Sequence, residues 1–427
     1  MHLRRVLLAA SLACVPVSSF AANVHVVSFA PGPGVDFTSA QAAVDAAAPG
    51  DVILFRQGSY GSVTIAGKGI TLIADAGAFV HLAAGFSFSK TMGPLSFHNV
   101  VRDVPAGERV VFRGFWTIGG LELIDCDGAV WIEDCGVVGT APALRASGCE
   151  RVDVVRGSVK GLHGYVDQAA HTFIPTGDAA WIVGSNLCAL GAAFIGGDGK
   201  DFSFTQLGPS GSTSAGRGLV LDSGATAWLE GSTVVGGTGG DGEGSVAQIY
   251  CFNGGDGGVG LRVVASSATL RNTSVVGGPG GSVVGSCLFW PLTPGAAGSA
   301  IEIVSGSVTT SDFSGGSITL SSPTRATQST TLSLTGSANG AAVLFVGSSL
   351  ATGPAATPLG STLLSPSTYV ALVPLGPAGS VGLSIPMPML PPGIEAAAVF
   401  TQAAFCSPVD GCAFGAGSEL TVLDASL

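Results

Sequence analysis

Along the middle of the chain an apolar residue, a second apolar residue five positions later and a glycine two further on return as a unit. The unit is met as Ile132/Val137/Gly139, Val154/Val159/Gly161, Ala189/Phe194/Gly196, Leu229/Val234/Gly236, Leu270/Val275/Gly277 and Val308/Phe313/Gly315. Its glycines follow one another at intervals of 22, 35, 40, 41 and 38 residues. The shortest interval has the length of one solenoid coil of three short strands, and the longer ones read as the same coil carrying an insertion. Coils stack about 4.8 Å apart, so equivalent side chains form columns. The apolar members fill the interior and the glycines take the turns. The pattern predicts an all-β chain whose body, 66–322, is a right-handed parallel β-helix. Four inserts, Leu162 to Ala179, Gly197 to Gly218, Gly237 to Gly258 and Gly278 to Gly298, follow the glycine in successive repeats. They are expected to emerge on one face, and inserts at one repeat position mark the working face of a solenoid.

The flanks have different textures. In FTSAQAAVDAAAPGDVILFRQGSY, Phe37 to Tyr60, Thr38 or Ser39 can cap a short helix that Pro49-Gly50 ends, and Asp51 opens an apolar strand, Val52 to Phe55. A helix of this kind can cover the exposed terminal coil of a solenoid. This segment, with GKGITLIAD (Gly67 to Asp75) after it, resembles the N-terminal opening of pectin-lyase-like right-handed β-helix proteins. The resemblance runs on as repeats to about Ser317 and implies the fold. It implies no one activity, because that superfamily holds lyases, hydrolases, epimerases and inert scaffolds. From about Pro323 the glycine repeat stops, and apolar runs at Ala342 to Val346, Tyr369 to Val373, Val381 to Ile385, Ala397 to Phe400 and Leu420 to Leu423 alternate with Pro/Gly turns. That spacing predicts a small antiparallel β-sandwich over 323–427. The segment 22–65 is expected to hold the N-terminal cap and first strands.

Composition narrows the setting. His2, Arg4 and Arg5 precede a short apolar run, Val6 to Val15, and Ser19-Phe20-Ala21 supplies the small residues of a cleavage site, so 1–21 reads as a secretory signal. The expected product is secreted, extracellular or held at the cell surface, with no transmembrane segment. Loss of Arg4 and Arg5 takes the net charge from −11 to −13, which argues against nucleic acid and anionic membranes as partners. Eight of the nine cysteines lie beyond the leader and none form a CxxC pair, so disulfides are expected rather than zinc. Cys251 and Cys287 lie in consecutive inserts, Cys406 and Cys412 flank a five-residue turn, and Cys126 and Cys149 precede their repeat anchors at nearly equal offsets. These are the expected pairs.

Candidate chemistry is sparse. A lyase of acidic glycans needs carboxylates to hold calcium against a uronate and a basic residue to take a proton. The second insert offers Asp198, Lys200, Asp201 and Arg217, and the third adds Asp241, Glu243 and Asp256 as candidate metal ligands. The same residues also read as solvated loop charges among glycines. His163, Tyr165, Asp167 and His171 in the first insert are a further candidate acid/base or metal patch. For a sugar ring to stack upon, the candidates are Trp131 and Trp228, one position before a repeat anchor, and Trp290 in the fourth insert. No cofactor is expected, calcium apart. The expectation is therefore a secreted, non-catalytic β-helix scaffold that presents loops to a polysaccharide or cell-surface component. The alternative is a polysaccharide lyase or hydrolase acting on acidic glycans.

Overall fold

A computed structural model describes residues 23–427 apart from 84–98, 140–141, 168–171, 175, 202, 206–207, 211, 246–249, 288–290, 312–315, 348–349, 358–359, 365–367, 408, 410 and 416. The leader and Trp290 lie outside the described residues, as do Phe313 and Gly315 of the sixth repeat unit.

Most of the chain winds through three stacked parallel sheets of ten, eight and eight strands. This is the arrangement of a parallel β-helix. One coil shows the path: Ala129–Glu133 lies in the first sheet, Gly136–Gly139 in the second and Leu144–Ser147 in the third, before Arg151–Val155 returns to the first. Because strand side chains alternate, one residue in two points inward and joins a column down the stack. In the first sheet Ile132 stands across Val154, then Ala189, Leu229 and Leu270; in the second, Val137 stands across Val159, Phe194, Val234 and Val275. Ile132, Val154, Phe194, Leu229 and Val234 are all buried in a single core that runs the length of the solenoid. The sixth repeat unit sits in a different register. Val308 stands across Ala268, and Leu270 instead faces Thr310. The two-residue slip keeps Val308 pointing inward, since side-chain direction has a period of two.

At the N-terminal end the one helix among the described residues, Ala40–Ala46, begins at Ser39, whose hydroxyl accepts from the Ala42 amide. It buries Ala40, Ala43 and Val44 in the solenoid core. Asp51 ties this end together, with its carboxylate accepting from the amides of Asn23 (3.0 Å) and Ala48 (2.8 Å) and lying 3.1 Å from His25 Nε2. Burial alone would raise its pKa, but these hydrogen bonds outweigh it and hold the carboxyl below its ordinary value.

The C-terminal strands pair mainly antiparallel, in a three-stranded sheet and a six-stranded one. The two share one apolar cluster, to which Ile318, Leu334 and Ile385 contribute from the smaller sheet and Leu344, Ala403 and Leu420 from the larger. These strands lie along the side of the solenoid, on the outer face of the first sheet. Phe400 and Leu364 pack there with Val111, Trp131 and Val155, and Leu423 packs with Val24, Val52 and Ile73.

Candidate functional site

The inserts leave the second sheet at the same position and return to the third, as the spacing predicts. They do not splay into separate loops. Each sends out one glycine-rich arm and brings back another, and the arms bond side by side through the backbone. The amide of Gly216 donates to Gly197 (2.8 Å), Gly237 to Gly216 (2.9 Å), Gly258 to Gly237 (2.8 Å), Gly278 to Gly258 (2.8 Å) and Gly298 to Gly278 (2.8 Å). Three residues further out a second row repeats the arrangement, from Gly240 through Gly255 and Gly281 to Gly295. Three residues is one turn of a polyproline II helix, and only glycine fits at the crossings. A Cβ on Gly237 or Gly278 would land on the carbonyl oxygen of Gly197 or Gly237. The inserts therefore form one slab standing on the corner between the second and third sheets. Cys251 and Cys287 are bonded across two consecutive inserts, with Cα atoms 5.7 Å apart.

The slab gives its carboxylates work. Asp198 accepts from the Thr238 amide (2.8 Å), Asp201 from Asp241 (2.8 Å), Asp241 from Ser282 (2.7 Å) and Asp256 from Ala296 (2.8 Å). Each thus holds the backbone of the next insert in register. Arg217 is drawn away from the acidic residues of its own insert, its Nη2 lying 2.7 Å from Asp178. Lys200 donates to the Asp201 carbonyl at 3.0 Å, and Glu243 is exposed. His163 Nδ1 accepts from the Asp198 amide at 3.1 Å. Tyr165 and Asp167 are in a described strand, Tyr165–Asp167, whose side chains are outside the description, as is His171. Among the described residues no three His, Cys, Asp or Glu side chains come together as a metal would require. The candidate carboxylates Asp198, Asp201, Asp241 and Asp256 are thereby spread along a ladder of backbone contacts.

Trp131 and Trp228 face outward from the first sheet in one column, and the C-terminal strands bury Trp131 while Trp228 is only partly buried. Trp131 is 1% exposed, donates from Nε1 to Glu133 (2.8 Å) and meets Phe400 edge-on at 5.5 Å. Trp228 is half-buried under the Arg271 guanidinium, 5.6 Å from its ring centroid. Trp131 is closed to a ligand because the C-terminal sheets bury the outer face of the first sheet as a second core. No family model matches this chain, and no curated protein does either. The reading therefore rests on geometry.

The same packing has its polar centre at Glu133, which is fully buried. Its carboxylate accepts from Trp131 Nε1, Ser418 Oγ (2.9 Å) and the Glu419 amide (3.2 Å), and pairs with Arg113 (3.4 Å) and Arg156. Burial pushes Glu419 above the ordinary carboxylate range, against the pull of Arg113 and Arg109.

Cys406 and Cys412 are bonded, as expected. Cys126 and Cys149 are instead free thiols. They lie on adjacent coils in the interior and hydrogen-bond to each other, which raises the Cys149 thiol first through that bond and then through burial. Cys135 is free and buried, and burial pushes it up to about 12.

Between the solenoid and the C-terminal strands lies a cleft of about 390 Å³, lined by Arg156, Gly231, Asn272, Ser337, Phe405 and Ser407 among others. A second hollow of about 350 Å³ shares Gly231 and Asn272 with it and runs onto the second sheet at Thr233 and Ser274. Both sizes suit small ligands. Sequence reasoning missed this cleft and the slab. The signal for the slab was present as glycine at every third position, Gly236/Gly239/Gly242 and Gly254/Gly257/Gly260. No sequence signal marks the cleft, because its walls lie up to 255 residues apart, from Arg156 to Gly411.

Proposed function

We propose that this is an exported, non-catalytic β-helix scaffold of the extracellular space or cell surface, which presents a stapled slab of loops to a glycan or another surface component. The observation that carries the reading is the use of the insert carboxylates. Asp198, Asp201, Asp241 and Asp256 each accept a backbone amide of the neighbouring insert. A general acid or base must instead be tuned by burial or a charged partner and lie within reach of substrate. Export is supported by two disulfides. No helix among the described residues is long and apolar enough to cross a membrane. The pectin-lyase-like character of the N-terminal segment agrees with the stacked parallel sheets.

The test is polyuronate cleavage, followed as unsaturated product by ultraviolet absorbance with and without calcium. The expected result is background at every calcium level. Cleavage that disappears in Asp198→Ala or Lys200→Ala would put the lyase first.

A further inference from the structure

The second sheet lies at the bottom of a trough. On one side stands the insert slab, rooted at the corner between the second and third sheets. On the other the C-terminal strands rise over the corner between the first and second sheets, where Arg156 Nη1 donates to the carbonyls of Ile318 (3.1 Å) and Gly417 (3.3 Å). The outward residues of the second sheet from Ser158 to Ser274 form the floor between these walls, and the same face continues through the earlier coils beyond the edge of the slab.

At its N-terminal end this face carries exposed rings. Phe79 is 62% and Trp116 41% exposed, although strand residues in the same coils are mostly buried. Phe79 and His81 point to the same side with ring centroids 4.4 Å apart, and His81 stands directly across from Trp116 in the next coil. Trp116 is across from Gly136, and a Cβ at Gly136 would run into the six-membered ring of the indole. The six-membered ring of the indole therefore occupies the space a side chain at Gly136 would take, and Trp116 stays 41% exposed. From there the same column continues through Ser158, Ala193, Thr233 and Ser274. It ends in the hollow of about 350 Å³ that joins the cleft beside the C-terminal strands. Five coil steps from Trp116 to Ser274, at about 4.8 Å each, make roughly 24 Å of this face.

We propose that this trough is the glycan-binding site of the molecule and that its occupant is an extended, neutral, β-linked polysaccharide strand, stacked at one end on Trp116 and Phe79. The proposal rests on the glycan-facing scaffold reading and adds to the slab the face of the second sheet beside it. Three features select this occupant. A flat exposed ring is large, rigid and apolar, so it holds the C–H face of a pyranose with little loss of conformational freedom. The sugar repeat of an extended β-linked chain is of the order of the coil spacing of about 4.8 Å, so the chain can run along the stack. The protein is acidic, with a net charge of −11, and the floor offers the hydroxyls of Ser158, Thr233 and Ser274 beside an adjoining column that is aliphatic at Ile118, Val138, Ile195, Val235 and Val276 and cationic only at Lys160, in place of the basic row that a polyuronate needs.

The experiment is calorimetric titration of the intact exported protein with cellohexaose, xylohexaose and mannohexaose, and with oligogalacturonate as the acidic comparison. The variants are Trp116→Ala and Phe79→Ala, whose exposed side chains can be removed without opening the core. Trp181→Phe on the third sheet is the control, and thermal melts verify folding. The expected result is binding of at least one neutral hexaose, weakened at least tenfold by Trp116→Ala, weakened by Phe79→Ala and unchanged by Trp181→Phe. Equal binding by wild type and Trp116→Ala would overturn the trough while leaving a glycan-binding scaffold in place. Preference for oligogalacturonate would overturn the neutral occupant. Binding of no hexaose would overturn the trough together with the glycan reading on which it rests.

Discussion

At the scale of single residues, direction across a strand decides what a position tolerates. Val234 is completely buried in the second-sheet column, whereas its neighbour Thr233 points to solvent. Val234→Asp would place an unpaired charge in that column and is expected to cost several kcal/mol. Thr233→Asp should change stability by no more than about 0.5 kcal/mol. Urea denaturation of the two variants checks this, and equal midpoints would mean that the inward register is wrong. Val275 belongs to the same column but is only partly buried, and its strand, Ser274–Val276, is the last of the second sheet among the described residues. Val275→Asp should therefore fall between the two. The columns were legible in the sequence because burial repeats with the strand period. The slip at Val308 was not, since a shift of two residues leaves the apolar pattern unchanged.

At the scale of elements, the inserts are the part whose nature changed most. Read one at a time, they are glycine-rich loops with scattered charges. Side by side, their amides and carbonyls satisfy one another, and the carboxylates complete the ladder. Gly237→Ala should force the third insert away from the second and lower stability by about 2 kcal/mol. Gly61→Ala, where a new methyl group meets nothing within 4 Å, should be silent. Hydrogen exchange at the amides of Gly237 and Gly258 gives the more specific reading. Protection lost throughout the slab in the Gly237 variant is the expected outcome, and unchanged protection would show that the arms hold their places without the close contact.

At the scale of the whole molecule, the solenoid and the C-terminal strands are joined by two apolar patches around a charged centre. Glu133→Ala would remove one of the two carboxylates that Arg113 and Arg156 share, Asp134 being the other, and loss of a buried hydrogen-bonded acceptor typically costs about 1–3 kcal/mol. The variant is expected to unfold at lower urea, and Trp131, now shielded, should show red-shifted emission before the solenoid itself melts. Coincident unfolding with wild-type emission would mean that Glu133 does not hold the two parts together. This docking is also why Trp131, picked from the sequence, is closed to a ligand. Its outward direction was correctly inferred, but a covering layer contributed from about 270 residues further along the chain, Phe400 over Trp131, leaves no trace in the local pattern.

The amino-acid sequence by itself determined the parallel coils, the inward columns and the common exit of the inserts, because all three follow from local periodicity: alternation along a strand and the return of glycine at a turn. It also contained the pairs Cys251–Cys287 and Cys406–Cys412, whose partners occupy equivalent or neighbouring positions. Only the tertiary structure decided which outward face stays open. The first sheet carries Trp131 and is covered there, while the second carries the exposed Trp116. The same alternation produces an outward tryptophan on either sheet. Its exposure depends on which distant surface packs against it, and that is settled by the free energy of burying one whole face against another.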